Sequence, residues 1–325
     1  MSASLIDCKH EGRGKVLFFA RDYISGTEFA VRECCHCRLV YTDLSYTDQA
    51  VVGETFYPAD YYGRQKRYPL FLGKILNYFV MHRARLLGEE EKKASGAILD
   101  IGCGQGLFLK QFADRGWQAV GIEVSSSAAF HAREVQGLDV LVGKRTTEEL
   151  ANDSFDIISL WHVLEHADQP KTLLSEARRV LKTDGKLLLS VPNFSSLEAR
   201  LGKQNWFHLD VPRHITHFTQ DGLQTTLDAT GWEITKKSYF TPEYDFFSFI
   251  QTAQNMCGLE MNLLYRIIRS GNLRKEDAPN PPLIQKILAI LSFPLFALIS
   301  LAYVPIVNLM KQGSSVNLIL KKKTC

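Results

Sequence analysis

The chain is short of the features that most readily assign a protein to a class. Met1–Gly12 has no apolar core of the kind a secretory leader needs, so cytoplasmic residence is the expectation. The net charge is only +3, and no basic stripe is interleaved with aromatics, which argues against nucleic acid as a partner. Seven cysteines, three of them within Cys34–Cys37, do not make the even set of a disulfide framework. No internal repeat or low-complexity stretch occurs. The dinucleotide fingerprint G-x-G-x-x-G fails, because Leu107 occupies the third glycine position, and no Gly-Lys-Ser/Thr makes a P-loop. An NAD-dependent sugar epimerase or dehydrogenase is thereby disfavoured. At 325 residues there is room for one α/β domain with accessories.

What is present centres on Ala97–Gly106, Ala-Ile-Leu-Asp-Ile-Gly-Cys-Gly-Gln-Gly. A short apolar run ends in Asp100 and then in Gly102, Gly104 and Gly106, with Cys103 between the first two; helix formers follow from Leu107 to Arg115. The pattern predicts a buried parallel strand, a tight turn and a helix N-terminus, the geometry that brings a backbone against a nucleotide-like ligand. Glycine suits that turn because a side chain would block the approach. A second strand, Gln118–Glu123, ends in a carboxylate placed to accept both hydroxyls of a ribose.

Leu-Asp-Ile-Gly-Cys-Gly-x-Gly with an acid after the next strand resembles class I S-adenosylmethionine-dependent methyltransferases. The resemblance continues in Ser154–Trp161, similar to the family's fourth strand, and in His162-Val-Leu-Glu-His166 after it. The run through Lys171–Leu181, Thr183-Asp184-Gly185 and strand Lys186–Val191 also fits. It implies a Rossmann-like seven-stranded α/β sheet that binds S-adenosylmethionine through Asp100, Gly102, Cys103, Gly104, Gly106, Glu123, Trp161 and His162. One departure concerns adenine. Lys144-Arg145-Thr146 stand where many relatives place an acid, so backbone or apolar contacts are expected, with Glu148 and Glu149 nearby.

Cys34-x-x-Cys37 has zinc-knuckle spacing, and Cys8 and His10 supply a second pair before a hairpin of Val16–Phe19 and Glu28–Arg32. Cys8, His10, Cys34 and Cys37 would close a structural tetrahedral site, with a metal-free thiol hairpin as the alternative. The segment resembles the zinc-binding N-terminal module of sugar C-methyltransferases. Aromatic Phe56–Tyr62, with Tyr57, Tyr61 and Tyr62 as candidates for the substrate mouth, and helical Leu70–Leu87, with Arg83 and Arg85 on its polar side, lie between the modules.

Histidine suits proton removal from an acceptor near neutral pH. His162 and His166 follow the fourth strand; His208, His214 and His217 lie in Trp206–Thr219, after the fifth. His166 and His214 lead as catalytic candidates, with His162 and His217 behind them, Arg213 and Asp210 positioning an oxygen-rich acceptor, and Glu165 orienting a neighbouring imidazole. Each also has a purely structural alternative, as a cap or a loop support.

Ile287–Met310 carries no formal charge and is long enough to span a membrane. Trp232–Tyr239 and Val316–Leu320, however, resemble the sixth and seventh strands of one sheet, which a span between them would separate. Pro294 and Pro305 are expected to break the run into shorter helices. Thr241–Gly313 is therefore read as a helical insertion that either dips into one leaflet, with Arg266, Arg269, Arg274 and Lys275 toward anionic head groups, or forms a buried lid or dimer face.

The expected organisation is a zinc module (1–50), a helical linker or cap (51–95), the core (96–240), the apolar insertion (241–313) and a last strand with a basic tail (314–325). The expected activity is methyl transfer to a small-molecule, sugar or lipid-linked glycan acceptor. A quinone or isoprenoid-type O-methyltransferase and a non-catalytic cofactor-binding scaffold are the alternatives.

Overall fold

A computed structural model describes residues 14–45, 70–88, 94–143, 146–269 and 281–323. Strands β1 (Lys15–Arg21), β2 (Glu28–Glu33) and β3 (Val40–Thr42) form an antiparallel meander, close to the hairpin read from the sequence. Helix α1 (Leu70–Leu86) precedes the main sheet. There, β4 (Ala97–Ile101), α2 (Leu107–Ala113), β5 (Gln118–Glu123), α3 (Ser126–Glu134) and β6 (Asp139–Val142) alternate. They are followed by β7 (Phe155–Trp161), α4 (Pro170–Val180) and β8 (Leu181–Pro192). Helix α5 (Leu197–Gly202), β9 (Thr216–His217), α6 (Gln220–Ala229) and β10 (Trp232–Ser238) come next. Helices α7 (Pro242–Met256), α8 (Leu263–Arg269) and α9 (Leu283–Leu309) lead to β11 (Ser315–Lys322).

The seven-stranded sheet runs β10-β11-β8-β7-β4-β5-β6, and β9 joins the small sheet beside β3. Apolar runs such as Leu187–Leu189 are buried because helices cover both faces, as a parallel sheet requires. Leu99, Ile101, Leu160 and Leu189 enter one core; Ile98, Ile157 and Leu188 enter the other, following the two-residue alternation of a strand. Strand β4 has β5 on one side and β7 on the other, both parallel to it. That reversal of winding opens a crevice above the carboxyl ends of β4 and β7, where α/β sheets bind ligands.

Helix α1 differs from the sequence reading in one respect. Arg85 faces solvent, but Arg83 turns inward and pairs with Asp100 Oδ1 at 2.6 Å, while its guanidinium lies 3.7 Å from the Phe108 ring centre. Ser159 Oγ accepts from the same guanidinium. A helical pattern marks Arg83 as polar but cannot show that a buried carboxylate waits opposite.

The insertion also departs from expectation. Helix α9 runs unbroken over 27 residues with Pro294 and Pro305 inside it, so the prolines do not divide it. Nor is it a buried lid within this chain, since only 17% of its most apolar window is buried and Leu291, Leu298 and Leu309 stand exposed. Arg266 is buried against Glu260 at 3.2 Å and unavailable to head groups; Arg274 and Lys275, and the side chain of Arg269, lie outside the described residues. The topological expectation holds. Strand β11 pairs antiparallel with both β8 and β10, and Ser238 sits opposite Asn317, so the chain leaves and re-enters the sheet at one place.

Two buried acids fasten the insertion. Glu198 Oε1 accepts from Thr252 at 2.7 Å and from Ser248, joining α5 to α7. Asp245 accepts from Ser314 at 2.7 Å and from the Thr241 amide at 2.9 Å. Burial pushes Glu198 up to about 7 and Asp245 up to about 6 despite these donors.

Two outcomes are expected. Arg83→Met leaves Asp100 buried beside no counter-charge, and urea denaturation should show a loss of about 3 kcal/mol. For Glu198, a folded-state value above the ordinary 4.5 means that the folded chain holds the proton more tightly. Its stabilisation is complete below pH 4.5 and disappears as pH rises toward 7. Glu198→Gln should therefore leave the melting temperature near wild type at pH 5 and raise it at pH 8, as calorimetry at the two pH values would show.

Candidate functional site

The donor side is built by the turn after β4. Gly102, Gly104 and Gly106 have φ of 73°, 54° and 80°, values that favour glycine, but the three do different things. A Cβ on Gly102 would lie 2.4 Å from Val163 Cγ2, and one on Gly106 would lie 2.4 Å from Leu138 Cδ1; these two glycines admit neighbours. At Gly104 an added Cβ meets nothing within 4 Å, so this glycine faces open space. Its amide donates to Glu123 Oε2 at 2.8 Å, and the Ser125 amide donates to Oε1 at 2.8 Å. Glu123 is thus held at the end of β5, each oxygen keeping a second lone pair. A half-buried backbone turn with a fixed acceptor beside it suits the ribose of an adenosine-containing cofactor.

Cys103 is buried, its sulfur directed at Gly121, and burial drives its thiol far up, so it packs rather than reacts. Burial raises the Asp100 carboxyl in spite of Arg83. Trp161 closes β7, and its Nε1 donates to Glu243 Oε1 at 3.0 Å, linking the sheet edge to α7.

The second half of the site is a cavity of roughly 200 Å³ lined by histidines and tyrosines, among them His162, His166, His208, His214 and Tyr244, with Asp210 at its wall. It begins where β7 ends. His162 sits at φ 54°, an uncommon conformation for a non-glycine residue and one that strained site residues adopt. Its ring lies 4.2 Å from that of Tyr244, its Nδ1 is 3.2 Å from Glu165 Oε1, and Ser315 Oγ is 3.4 Å from its Nε2. The turn Leu164–His166 follows, and the rings of His166 and His214 meet edge to face at 4.6 Å.

Charge in this region is strongly biased by burial. His214 is pushed down to about 4 by burial and by His166, and burial, with His162 beside it, lowers His208 well below the ordinary range. Burial works to raise Glu165, but His162, His166 and His214 around it hold it below the usual carboxylate range. For Asp210 the upward push of burial is likewise overcome by Arg213, which brings it to about 2.

Of the histidines named from sequence, His162, His166 and His214 come together and His217 does not. His217 lies in β9, where Nε2 is 2.9 Å from Thr42 Oγ1, and burial lowers it to about 3; it joins the small sheet to the core. Arg213 is fully buried beneath the cavity, pairing Asp22 at 2.9 Å and Asp210 at 2.6 Å, so it supports the floor while Asp210 reaches the wall. Tyr23, Tyr244, Asn262 and Tyr265 also line the cavity and carry no sequence signal, because they arrive from the β1–β2 turn and the insertion. Glu148 and Glu149 are exposed; Lys144 and Arg145 lie outside the described residues.

The zinc expectation is only half within view. Cys8, His10 and the aromatics Tyr57, Tyr61 and Tyr62 lie outside the described residues. Cys34 and Cys37 share one tight turn, in which the His36 amide donates to Cys34 Sγ at 3.4 Å and Arg38 takes φ 64°. Amide-to-sulfur bonding of this kind suits a thiolate pair.

The family model "Methyltransferase domain" matches residues 72–237. A ubiquinone biosynthesis O-methyltransferase of Hahella chejuensis is 34% identical over 122 residues, 35% of this chain and 48% of that protein. One from Idiomarina loihiensis is 32% identical over 132 residues, 38% of this chain and 49% of that protein. The chain thus spans about half the length of these curated relatives. Among solved structures, a methyltransferase from Archaeoglobus fulgidus, described as dependent on S-adenosylmethionine, is 19% identical and covers 79% of this chain and 100% of its own, with a TM-score of 0.46. With half of its length matched by the family model and the glycine turn and Glu123 in place, this chain belongs to the methyltransferase domain family, in its class I S-adenosylmethionine-dependent form.

Proposed function

We propose that the chain transfers a methyl group from S-adenosylmethionine to an oxygen of a small-molecule or lipid-linked acceptor held in the histidine-lined cavity. The observation that carries this reading is the approach of Gly102 to Val163, which sets the donor turn directly against the segment His162–His166. Glu123 would hold the ribose, the Gly104 backbone would lie along the cofactor, and Asp100 and Trp161 would form the surrounding wall. S-adenosylmethionine, when bound, supplies an electrophilic methyl group. The chain must align the acceptor and remove its proton. His162, with Glu165 orienting Nδ1, is placed to take that proton, while His166 and His214 position the acceptor oxygen. Acceptors with a sugar and acceptors with a quinone or isoprenoid group both fit a mixed wall of imidazole and tyrosine. The names of the matched relatives and the exposed apolar side of α9 favour the second.

That same side supports a location: a cytoplasmic protein resting on a membrane surface through α9, whose apolar run lies between Lys286 and Lys311. At the other end, zinc held by Cys34 and Cys37 together with Cys8 and His10 would clip the small sheet in a closed structural site.

Labelled S-adenosylmethionine offered with catechols, quinone precursors, nucleotide sugars and lipid-linked glycans should yield a methylated product with at least one class. His214→Ala should lose about 100-fold or more in turnover while keeping donor affinity. A chain that binds NAD tightly and not S-adenosylmethionine would sink the reading. Gly104→Ala fills open space and adds only the strain of a side chain at positive φ, so calorimetry should show lost donor affinity with a modest drop in melting temperature. Gly102→Ala should lower the melting temperature further, because its Cβ also meets Val163. In flotation with anionic phospholipid vesicles, the wild type should rise with the lipid and Leu291→Ser/Leu298→Ser should remain below.

A further inference from the structure

Glu165, His166 and His214 each offer a ligand atom within 4.8 Å of the other two. Metal–ligand bonds of about 2.1 Å hold neighbouring ligands roughly 3 to 4 Å apart, so slight closure of these side chains would suffice. The backbone sets which nitrogens face inward. His214 Nδ1 lies 2.7 Å from the carbonyl oxygen of His208, and His166 Nδ1 lies 2.9 Å from that of Arg213. A carbonyl only accepts, so each Nδ1 carries the hydrogen, and in a neutral imidazole Nε2 is then the ligand atom. Bonds of this kind, on the far side of the ring, are those that fix metal-binding imidazoles.

Glu165 faces the His214 lone pair. His214 Nε2 is 4.0 Å from its Oε1. The residue is 1% exposed; its Oε1 has His162 Nδ1 at 3.2 Å, and its Oε2 has no hydrogen-bond partner among the described residues. A buried carboxylate turned toward imidazole lone pairs is a set of acceptors that wants positive charge. The surrounding cavity leaves room for more than the three protein ligands.

We infer that Glu165, His166 and His214 bind one divalent cation, whose open positions chelate an acceptor bearing two adjacent oxygens, a catechol or a vicinal diol. One carboxylate leaves such an ion with net positive charge, which favours an ionised hydroxyl among its ligands. Two imidazoles with one carboxylate suit manganese, iron, cobalt or zinc and leave coordination positions free. This inference rests on the methyl-transfer reading above and narrows its acceptor. In the reaction, the bound hydroxyl gives its proton to His162. The oxygen–carbon bond then forms as the carbon–sulfur bond of the sulfonium breaks, leaving a neutral thioether.

The test is titration of the purified full chain with manganese(II) chloride, followed by paramagnetic resonance. One ion per chain is expected, bound equally well after Cys257→Ser, an exposed position just past the end of α7. Glu165→Gln and His214→Ala should each weaken binding by about ten-fold or more. Calorimetric binding of S-adenosylmethionine by the same variants checks that they are folded, and His214→Gln replaces any that is not. Added catechol should alter the manganese spectrum of the wild type. No bound manganese, binding indifferent to Glu165 and His214, or a spectrum unmoved by catechol and by a vicinal diol would overturn the inference. Manganese binding without binding of S-adenosylmethionine would support the metal site and overturn the donor reading instead.

Discussion

The parallel pairing of β4 with β7 is the constraint on which the site depends. In this register Ile101 lies opposite Leu160, so the turn after one strand and the turn after the other emerge side by side. Gly102 lacks the atom that would hold them apart, and Val163 fills the space. Donor and acceptor regions therefore meet through a van der Waals contact rather than across a hinge. A shift of one residue would send Leu99 and Ile101 to the opposite core and separate the two turns.

Burial then decides the chemistry of the residues gathered there. Imidazoles such as His214, pushed below neutrality by a dry environment, remain uncharged and keep their lone pairs. Carboxylates in the same region stay ionised only where cations or imidazoles surround them, as Arg213 does for Asp210. Farther out, Glu198 and Asp245 have hydroxyl and amide donors alone, and burial raises both. The difference lies in neighbours rather than residue type. It separates a region able to bind charge from one that merely holds helices together.

Much of the sheet was legible in the chain because periodicity and glycine placement are local. Ala97–Ile101 is apolar but for Asp100, Glu123 ends its strand, and Trp232 and Val316 begin readable strands. The histidine cluster was legible as residue types after strand ends, though sequence could not separate His214 from His217 three residues later. That distinction belongs to β9, which exists because β3 arrives from the other end of the chain. The pairing of Arg83 with Asp100 and the place of Tyr244 beside His162 were not legible, because both depend on elements folding together across the sequence. Proline misled in α9, where helix packing against α7 and an apolar sequence outweigh two missing amides.

Those prolines have a consequence for the helix they fail to break. Pro294 and Pro305 are both exposed and stand eleven residues apart, about three turns, so they fall on nearly the same side. Each lacks an N–H, which deprives the carbonyls of Ile290 and Leu301, four residues earlier, of their usual helical donors. Two unrequited acceptors along one outward stripe want water or head-group donors, while the leucines around them want hydrocarbon. The outward face of α9 thus sets a narrow stripe that seeks hydrogen-bond donors within a surface that seeks hydrocarbon.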